Sequence, residues 1–304
     1  MMTSGLERQL TTADGISLFV ADWAPADGVP VAGSILLMHG LGEHAGRYAH
    51  VIRFFNRCGL LVRSYDHRGH GRSGGPRGDA PDDTALLRDA RLVLDDFNRQ
   101  AQLDYPALAG NLPFLFGHSM GGLFAARFAV AAMAPLRGLI LSSPGLALRL
   151  SRVQLGLLKL MSAVAPGLAL PNGLDVDHLS HDPAVAKAYS SDPLVHNKIT
   201  ARLLNSMLRS GEFAQSQAHT LAVPTLLVIG GDDRIIDADG SRRFFTALPP
   251  AIVTFRDYDG MYHEIFNEIG AERVFADVRR WLEAQYLLQP PATVQPGLAE
   301  KLPI

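Results

Sequence analysis

The chain has 304 residues, 47% of them apolar and 19% charged, so it can bury a full core and is not a disordered chain. A formal net charge of −2 argues against an electrostatic nucleic-acid partner. Cys58 is the single cysteine, which excludes an intrachain disulfide, and no Cys/His cluster has the spacing of a structural zinc site.

The N-terminal part predicts neither a signal peptide nor a membrane anchor. Residues 1–15 lack a basic stretch followed by an apolar run. No window of the chain approaches the roughly 18 uninterrupted apolar residues of a membrane span. We therefore expect a soluble cytoplasmic protein. Thr12–Trp23 then predicts a first hairpin, with its turn around Ala13-Asp14-Gly15.

Six short runs rich in Leu, Ile, Val and Phe follow, each ending at a glycine or polar residue. Such runs are typical of strands buried on both faces of a parallel sheet. Chemistry gathers at the carboxyl ends of these strands, where the polar residues fall. The runs are Ser34–Met38, Leu60–Tyr65, Leu112–Phe116, Gly138–Ser142, Pro224–Ile229 and Ala251–Phe255.

Helical patterns separate the runs. Asp82–Gln102 and Arg273–Leu288 are amphipathic, and Gly121–Met133 is apolar nearly all round, which predicts a buried helix. The alternation predicts a mostly parallel, doubly wound α/β sheet with right-handed crossovers. Its core comprises residues 1–146 and 221–288, and the proline-rich tail 289–304 is predicted to be extended without a fold of its own.

Residues 147–220 break the alternation, because they show helical periodicity and no clear strand run. We interpret them as a mostly helical cap inserted into the core. The segment Val153–Ala169 carries one charged residue, Lys159. Two interpretations stay open and both can hold: a helix packed on the core, or a lid that lines an apolar substrate tunnel or touches lipid.

The strongest chemical signal is Gly117-His118-Ser119-Met120-Gly121-Gly122. It matches G-x-S-x-G between an apolar strand and a buried helix. The turn is sharp, so its flanking residues must be small, and it holds the Ser119 hydroxyl out at the sheet edge. It also aims the helix N-terminus at developing negative charge. The motif predicts Ser119 as a nucleophile, with His118 in a supporting role.

A serine hydroxyl needs a neighbouring base, and in this strand–turn–helix arrangement an acid and then a histidine follow along the chain. Asp232 and Asp233 follow the fifth run, and His263 follows the sixth. We favour Asp233 over Asp232, with Asp237 as a third candidate. The candidate triad is therefore Ser119, Asp233 and His263.

An oxyanion hole needs two backbone N–H donors. One is predicted to come from Met120, directly after the nucleophile. The other is predicted to come from Leu41 in His39-Gly40-Leu41-Gly42, where glycines let the backbone approach a substrate carbonyl.

The polar loop Asp66–Ser73 contains two histidines, which raises the alternative of a metal site. Glycines punctuate the run and no carboxylate lies at ligand spacing on a regular element, so we interpret it as a loop that buttresses the site. The mechanism requires no metal and no organic cofactor.

Six segments together resemble the monoacylglycerol lipases and the related lysophospholipase-like α/β-hydrolases, over roughly residues 12–285. They are HGLGEHAGRY (39–48), DHRGHGRSGG (66–75), GHSMGG (117–122), SDPLV (191–195), GGDDRI (230–235) and YHEIFNE (262–268). The resemblance implies the α/β-hydrolase fold with a cap that covers an acyl tunnel and can meet membranes.

The resemblance also implies roles for single residues. The family's triad matches Ser119, Asp233 and His263, and its oxyanion donors match Leu41 and Met120. Glu43 and Arg47 match positions near the glycerol-side pocket, and Tyr189 is a further substrate-binding candidate.

These observations predict a serine hydrolase that cleaves carboxylic esters of apolar acyl chains through an acyl-enzyme. Its expected partner is a small-molecule ester or lipid, with membrane contact through the cap and no nucleic acid. The alternatives are a short-chain carboxylesterase, lysophospholipase, lactonase or peptidase of the same fold. A non-catalytic binding protein is the alternative from another class; such proteins usually lose a triad member. Dehalogenase chemistry is disfavoured because the elbow carries Ser119 rather than aspartate.

Overall fold

A computed structural model describes residues 5–26 and 28–288, and its centre is one eight-stranded sheet. The strands are β1 (Leu6–Thr11), β2 (Ser17–Trp23), β3 (Gly33–Met38), β4 (Leu60–Tyr65), β5 (Phe114–His118), β6 (Gly138–Ser142), β9 (Thr225–Gly230) and β10 (Val253–Tyr258). They are ordered β1-β2-β4-β3-β5-β6-β9-β10, with β2 antiparallel to β1 and β4 and all other pairs parallel. The predicted mostly parallel, doubly wound sheet is confirmed.

Helices cover both faces of the sheet. They are α1 (Ala49–Arg57), α2 (Ala85–Asp104), α3 (Met120–Val130), α4 (Arg152–Val164), α5 (Pro183–Ser191), α6 (Ala201–Ser216), α7 (Ala238–Ala247) and α8 (Glu272–Leu288). Short 3₁₀ helices span Ala45–Tyr48, Pro106–Leu108, Val176–His178 and Ala218–Thr220. The predicted burial of α3 is confirmed, since ten of its residues are buried.

Alternate residues of the central strands pack into two separate hydrophobic cores. In β3, Leu36 and Met38 join the cluster formed with α2, α3 and α6, whereas Ile35 and Leu37 join the cluster formed with α1 and α8. Successive side chains of a strand point to opposite faces, so one buried strand fills both cores. This two-sided burial explains why the central strands read as continuous apolar runs.

The first hairpin begins earlier than predicted. β1 starts at Leu6, and the turn lies between Thr12 and Ile16, where the Thr12 N–H donates to the Ile16 carbonyl at 2.9 Å. β1 is an edge strand whose side chains are exposed or half-buried. It therefore lacks the apolar run on which the prediction depended.

The segment between β6 and β9 contains α4, α5 and α6 and also an antiparallel pair, β7 (Ala169–Pro171) with β8 (Lys198–Thr200). Three-residue strands are too short to leave a pattern, so the sequence did not reveal them. α6 packs on the core through Leu203 and Met207. α4 does not, because Leu158 is the one buried residue among its thirteen.

Within residues 5–26 and 28–288, no helix has the length and apolar character needed to cross a membrane. The predicted proline-rich tail, residues 289–304, lies outside the described residues.

Candidate active site

Ser119 sits in a strained turn between β5 and α3. Its backbone has φ 53° and ψ −117°, a conformation that non-glycine residues adopt rarely. The glycines around it are required by close packing: a Cβ on Gly117 would lie 2.5 Å from the Gly121 carbonyl oxygen, and one on Gly122 would lie 3.0 Å from Pro144 Cα. The sequence folds into this turn because the residues two positions before and two positions after Ser119 are glycines.

His263 and Asp233 form a buried pair at 2.6 Å, between Nδ1 and Oδ2. Gly230, at the end of β9, lets the two loops meet, since a Cβ there would lie 2.6 Å from the Met261 carbonyl oxygen. The other Asp233 oxygen accepts the Ile235 N–H at 2.9 Å and the Ile236 N–H at 3.1 Å. These bonds fix the carboxylate, and the carboxylate fixes the imidazole.

The two side chains shift each other's pKa in the directions expected of a base that is hydrogen-bonded to an ionised acid. Burial acts to lower the pKa of His263, but the charge and hydrogen bond of Asp233 outweigh it and raise that pKa above its ordinary value. Burial likewise opposes the ionised form of Asp233, yet His263 keeps the pKa of that carboxyl below its usual value.

The other acids considered from the sequence lie elsewhere. Asp232 is exposed, and Asp237 caps the N-terminus of α7 by accepting the Asp239 N–H at 3.3 Å.

His118, the residue directly before Ser119, lies next to His263. The His118 ring lies 4.8 Å from the His263 ring, and its Nδ1 is 3.0 Å from Ser142 Oγ. Burial lowers the pKa of His118 to about 3, so this ring is neutral. Among the described residues, no hydrogen bond joins the Ser119 hydroxyl to His263. Such bonds are commonly long before substrate binds.

Leu41 and Met120 border Ser119. A Cβ on Gly40, the residue before Leu41, would lie 3.2 Å from Ser119 Cβ. Met120 is the first residue of α3, where the helix leaves N–H groups free. Within the described part of the chain, neither the Leu41 nor the Met120 N–H donates to another atom. Both are therefore available to an oxyanion.

Glu43 and Arg47 belong to a buried charge cluster behind this site. Glu43 accepts the Gly40 N–H at 2.6 Å and the Tyr48 hydroxyl at 2.5 Å, and it also pairs with Arg47. Arg47 holds Glu264 with two bonds of 2.7 and 2.9 Å. Bidentate pairs of this kind fix orientation as well as charge.

Tyr189 lies over the cluster, with the Arg47 guanidinium 4.7 Å from its ring centre. The structure thus brings together the three residues that the resemblance indicated for substrate binding, but their polar atoms contact the protein. Sequence reasoning assigned no role to Glu264. Its position directly after His263 was the one sequence feature that could have placed it near the site.

The polar loop after β4 buttresses the site. The His67 N–H donates to His39 Nε2 at 2.9 Å, so His39 carries its proton on Nδ1 and donates it to the Gly40 carbonyl at 2.7 Å. Burial lowers the pKa of His39 to about 3 and keeps it neutral. Across residues 5–26 and 28–288, no group of three or more His, Cys, Asp or Glu side chains is arranged to hold a metal ion.

Comparison with known proteins adds a family. Residues 30–270 match the family model described as "Serine aminopeptidase, S33". The chain is 35% identical to a monoacylglycerol lipase of Mycolicibacterium smegmatis, over 91% of this chain and 96% of that protein. It is 34% identical to the human monoglyceride lipase, over 90% and 89%. The crystal structure of the Paleococcus ferrophilus monoacylglycerol lipase superposes with a TM-score of 0.77 at 35% identity, over 88% of this chain and 99% of that chain.

Proposed function

This chain belongs to the serine hydrolase family described as "Serine aminopeptidase, S33", and we propose that it is a carboxylic ester hydrolase acting on monoacylglycerol-type lipids. The observation that carries the proposal is the buried Asp233–His263 pair, whose imidazole lies 4.8 Å from the ring of His118, the residue before the strained Ser119. The identity to monoacylglycerol lipases over nine-tenths of the chain supports the substrate class.

The proposed reaction has two acyl-transfer steps. His263 Nε2 removes the Ser119 proton as Oγ attacks the ester carbonyl, while Asp233 holds the imidazole tautomer and its positive charge. The Leu41 and Met120 N–H groups bind the oxyanion. His263 then protonates the leaving alcohol, and water repeats the cycle on the acyl-enzyme.

The apolar surface of the cap favours an apolar substrate that is delivered from a lipid surface. On α4, a stripe of side chains three and four residues apart is exposed: Val153 81%, Leu157 48%, Leu160 57% and Val164 68%. An exposed apolar patch on a helix marks a binding or membrane surface, and a helix of this kind inserts its apolar face at the headgroup boundary. We propose that the enzyme works in the cytoplasm and touches membranes through α4.

The first test uses a fluorophosphonate probe and a panel of monoacylglycerols, lysophospholipids and p-nitrophenyl esters. We expect labelling of Ser119, and activity that rises with acyl length. Ser119→Ala should abolish labelling and lower kcat by roughly 10³-fold or more. Ser216→Ala removes a hydroxyl from an exposed serine at the end of α6 and should leave both unchanged. Failure of the wild-type protein to label would favour the binding-protein alternative.

The second test separates the lipid surface from the chemistry. Leu160→Glu should reduce hydrolysis of monoacylglycerol in vesicles but leave hydrolysis of a water-soluble p-nitrophenyl ester intact. Leu103→Glu is the matched control, because Leu103 is also apolar and 70% exposed but lies at the end of α2. Equal losses in the two variants would contradict membrane contact through α4, and activity limited to short esters would favour the carboxylesterase.

A further inference from the structure

The cap contacts the loop that carries Leu41 at three places. His44 Nε2 lies 2.9 Å from Asp192 Oδ2, and the His196 N–H donates to the Gly42 carbonyl at 2.8 Å. The Tyr189 hydroxyl lies 3.5 Å from the Leu41 carbonyl oxygen. The loop is therefore held from the cap side as well as from the core.

The pair of His44 and Asp192 has a defined geometry. His44 Nδ1 accepts the Gly46 N–H at 3.2 Å, so the ring proton is on Nε2 and points to Asp192. The second Asp192 oxygen accepts the Leu194 N–H at 2.8 Å. Burial acts to raise the pKa of Asp192, but the bonds from His44 and Leu194 bring it below the usual value. Both carboxylate oxygens are therefore in use.

The contact between cap and loop is tight at Gly42. This residue has φ +78°, and a Cβ there would overlap the His196 carbonyl oxygen and lie 3.1 Å from the Tyr189 hydroxyl. The cap backbone thus rests directly on the loop backbone, one residue after Leu41. A displacement of the cap segment from Tyr189 to His196 would shift the loop with it.

We propose that His44 and Asp192 are positioning residues that tie the seating of the cap to the placement of the Leu41 N–H in the oxyanion hole. This inference rests on the proposed hydrolase function. The seated cap completes the site, so the chemical step is fast when the cap is in contact with the loop.

Asp192→Asn tests the coupling. An amide offers one acceptor oxygen, so it cannot serve both His44 and the Leu194 N–H. The matched control is Asp182→Asn at the other end of α5, because Asp182 caps the Ala184 N–H with one oxygen and an amide can replace it. We expect Asp192→Asn to lower kcat about tenfold with little change in KM, a fraction of the loss that removal of an oxyanion donor causes. Asp182→Asn should leave kcat unchanged.

A second readout isolates the oxyanion hole. Affinity for a tetrahedral trifluoromethyl ketone should fall about tenfold in Asp192→Asn, in step with kcat, whereas affinity for a non-hydrolysable ether analogue should stay the same. His44→Ala should give at least the same loss, because it removes the contact with Asp192 and also the acceptor of the Gly46 N–H. The double variant His44→Ala/Asp192→Asn should lose no more than His44→Ala alone, because His44→Ala already breaks the contact with Asp192.

The outcomes separate the two proposals. Wild-type labelling and monoacylglycerol hydrolysis test the function itself. Given an active wild-type enzyme, unchanged kcat in Asp192→Asn, equal weakening of both analogues, or losses that multiply in the double variant would overturn the positioning role. Melting temperatures of all variants show whether a loss reflects unfolding, and His44→Ala provides the test if Asp192→Asn does not fold.

Discussion

Gly121→Ala tests whether the turn at Ser119 and the loop that carries Leu41 are held together by a close backbone contact. A Cβ on Gly121 would lie 2.5 Å from the His39 carbonyl oxygen and overlap the Met38 carbonyl oxygen as well. These are backbone atoms at the end of β3, so they cannot rotate away. The substitution must push α3 and the loop after β3 apart.

Two effects of opposite sign decide how much Gly121→Ala changes the free energy of unfolding. Replacing a helical glycine by alanine stabilises by up to about 1 kcal/mol. Overpacking a rigid interior costs about 1–3 kcal/mol, and the short distances at Gly121 place it at the upper end. We therefore expect a net loss of about 2 kcal/mol. Gly156→Ala in α4 is the matched control, because nothing lies within 4 Å of its added Cβ, and it should gain up to about 1 kcal/mol.

The assay compares melting temperature and kcat for the two variants. With about 2 °C for each kcal/mol, Gly121→Ala should melt about 4 °C lower and Gly156→Ala up to about 2 °C higher. kcat of folded Gly121→Ala should fall about 100-fold, because a displacement of about 1 Å in the site is that costly. Similar shifts in both variants, or full activity in Gly121→Ala, would refute the contact as the reason for the glycine.

Two other predictions concern the triad. The pH profile of kcat/KM should fall on the acid side with a midpoint above pH 6.5. His263 must be neutral to accept the Ser119 proton, and its pKa is raised above 6.5 despite its burial. A midpoint below pH 6.5 would contradict the proposed Asp233–His263 pair. Asp233→Asn should lower kcat on the order of 10⁴-fold, because His263 would lose its correct tautomer, whereas Asp232→Asn changes an exposed side chain and should leave kcat unchanged. Steady-state kinetics on one ester would check both variants. The reverse ranking would assign the acid to Asp232.

The sequence predicted best the elements whose residues face two cores. β4 and β6 match their apolar runs to the residue, and the fully buried strands β3, β5 and β9 lie within two residues of theirs. β1 was missed for the opposite reason, since its side chains are exposed or half-buried. The turn at Ser119 was predictable because steric limits leave glycine as the residue that fits at Gly117 and Gly121.

The contacts that residues 147–220 and the last loop make with the site could not be predicted from the sequence. Asp192 and His44 are 148 positions apart, and neither lies in a pattern that predicts contact. Glu264 could be seen beside His263, but its bond to Arg47 spans 217 positions. Such pairs are set by how the cap and the last loop pack on the core, and that packing is decided by surface shape rather than by any local periodicity.

The buried charge cluster behind the site contains two carboxylates. Glu43 and Glu264 share one cation, Arg47, so the cluster carries an excess negative charge. After Asp233, these two acids act in the direction that raises the pKa of His263 and opposes the lowering by burial. In the proposed acyl transfer, the imidazole becomes positive while the substrate oxygen becomes negative at the N-terminus of α3. In that proposed mechanism, the acids on the side of the base and the N–H groups on the side of the oxyanion stabilise both developing charges, and each is oriented before the reaction begins.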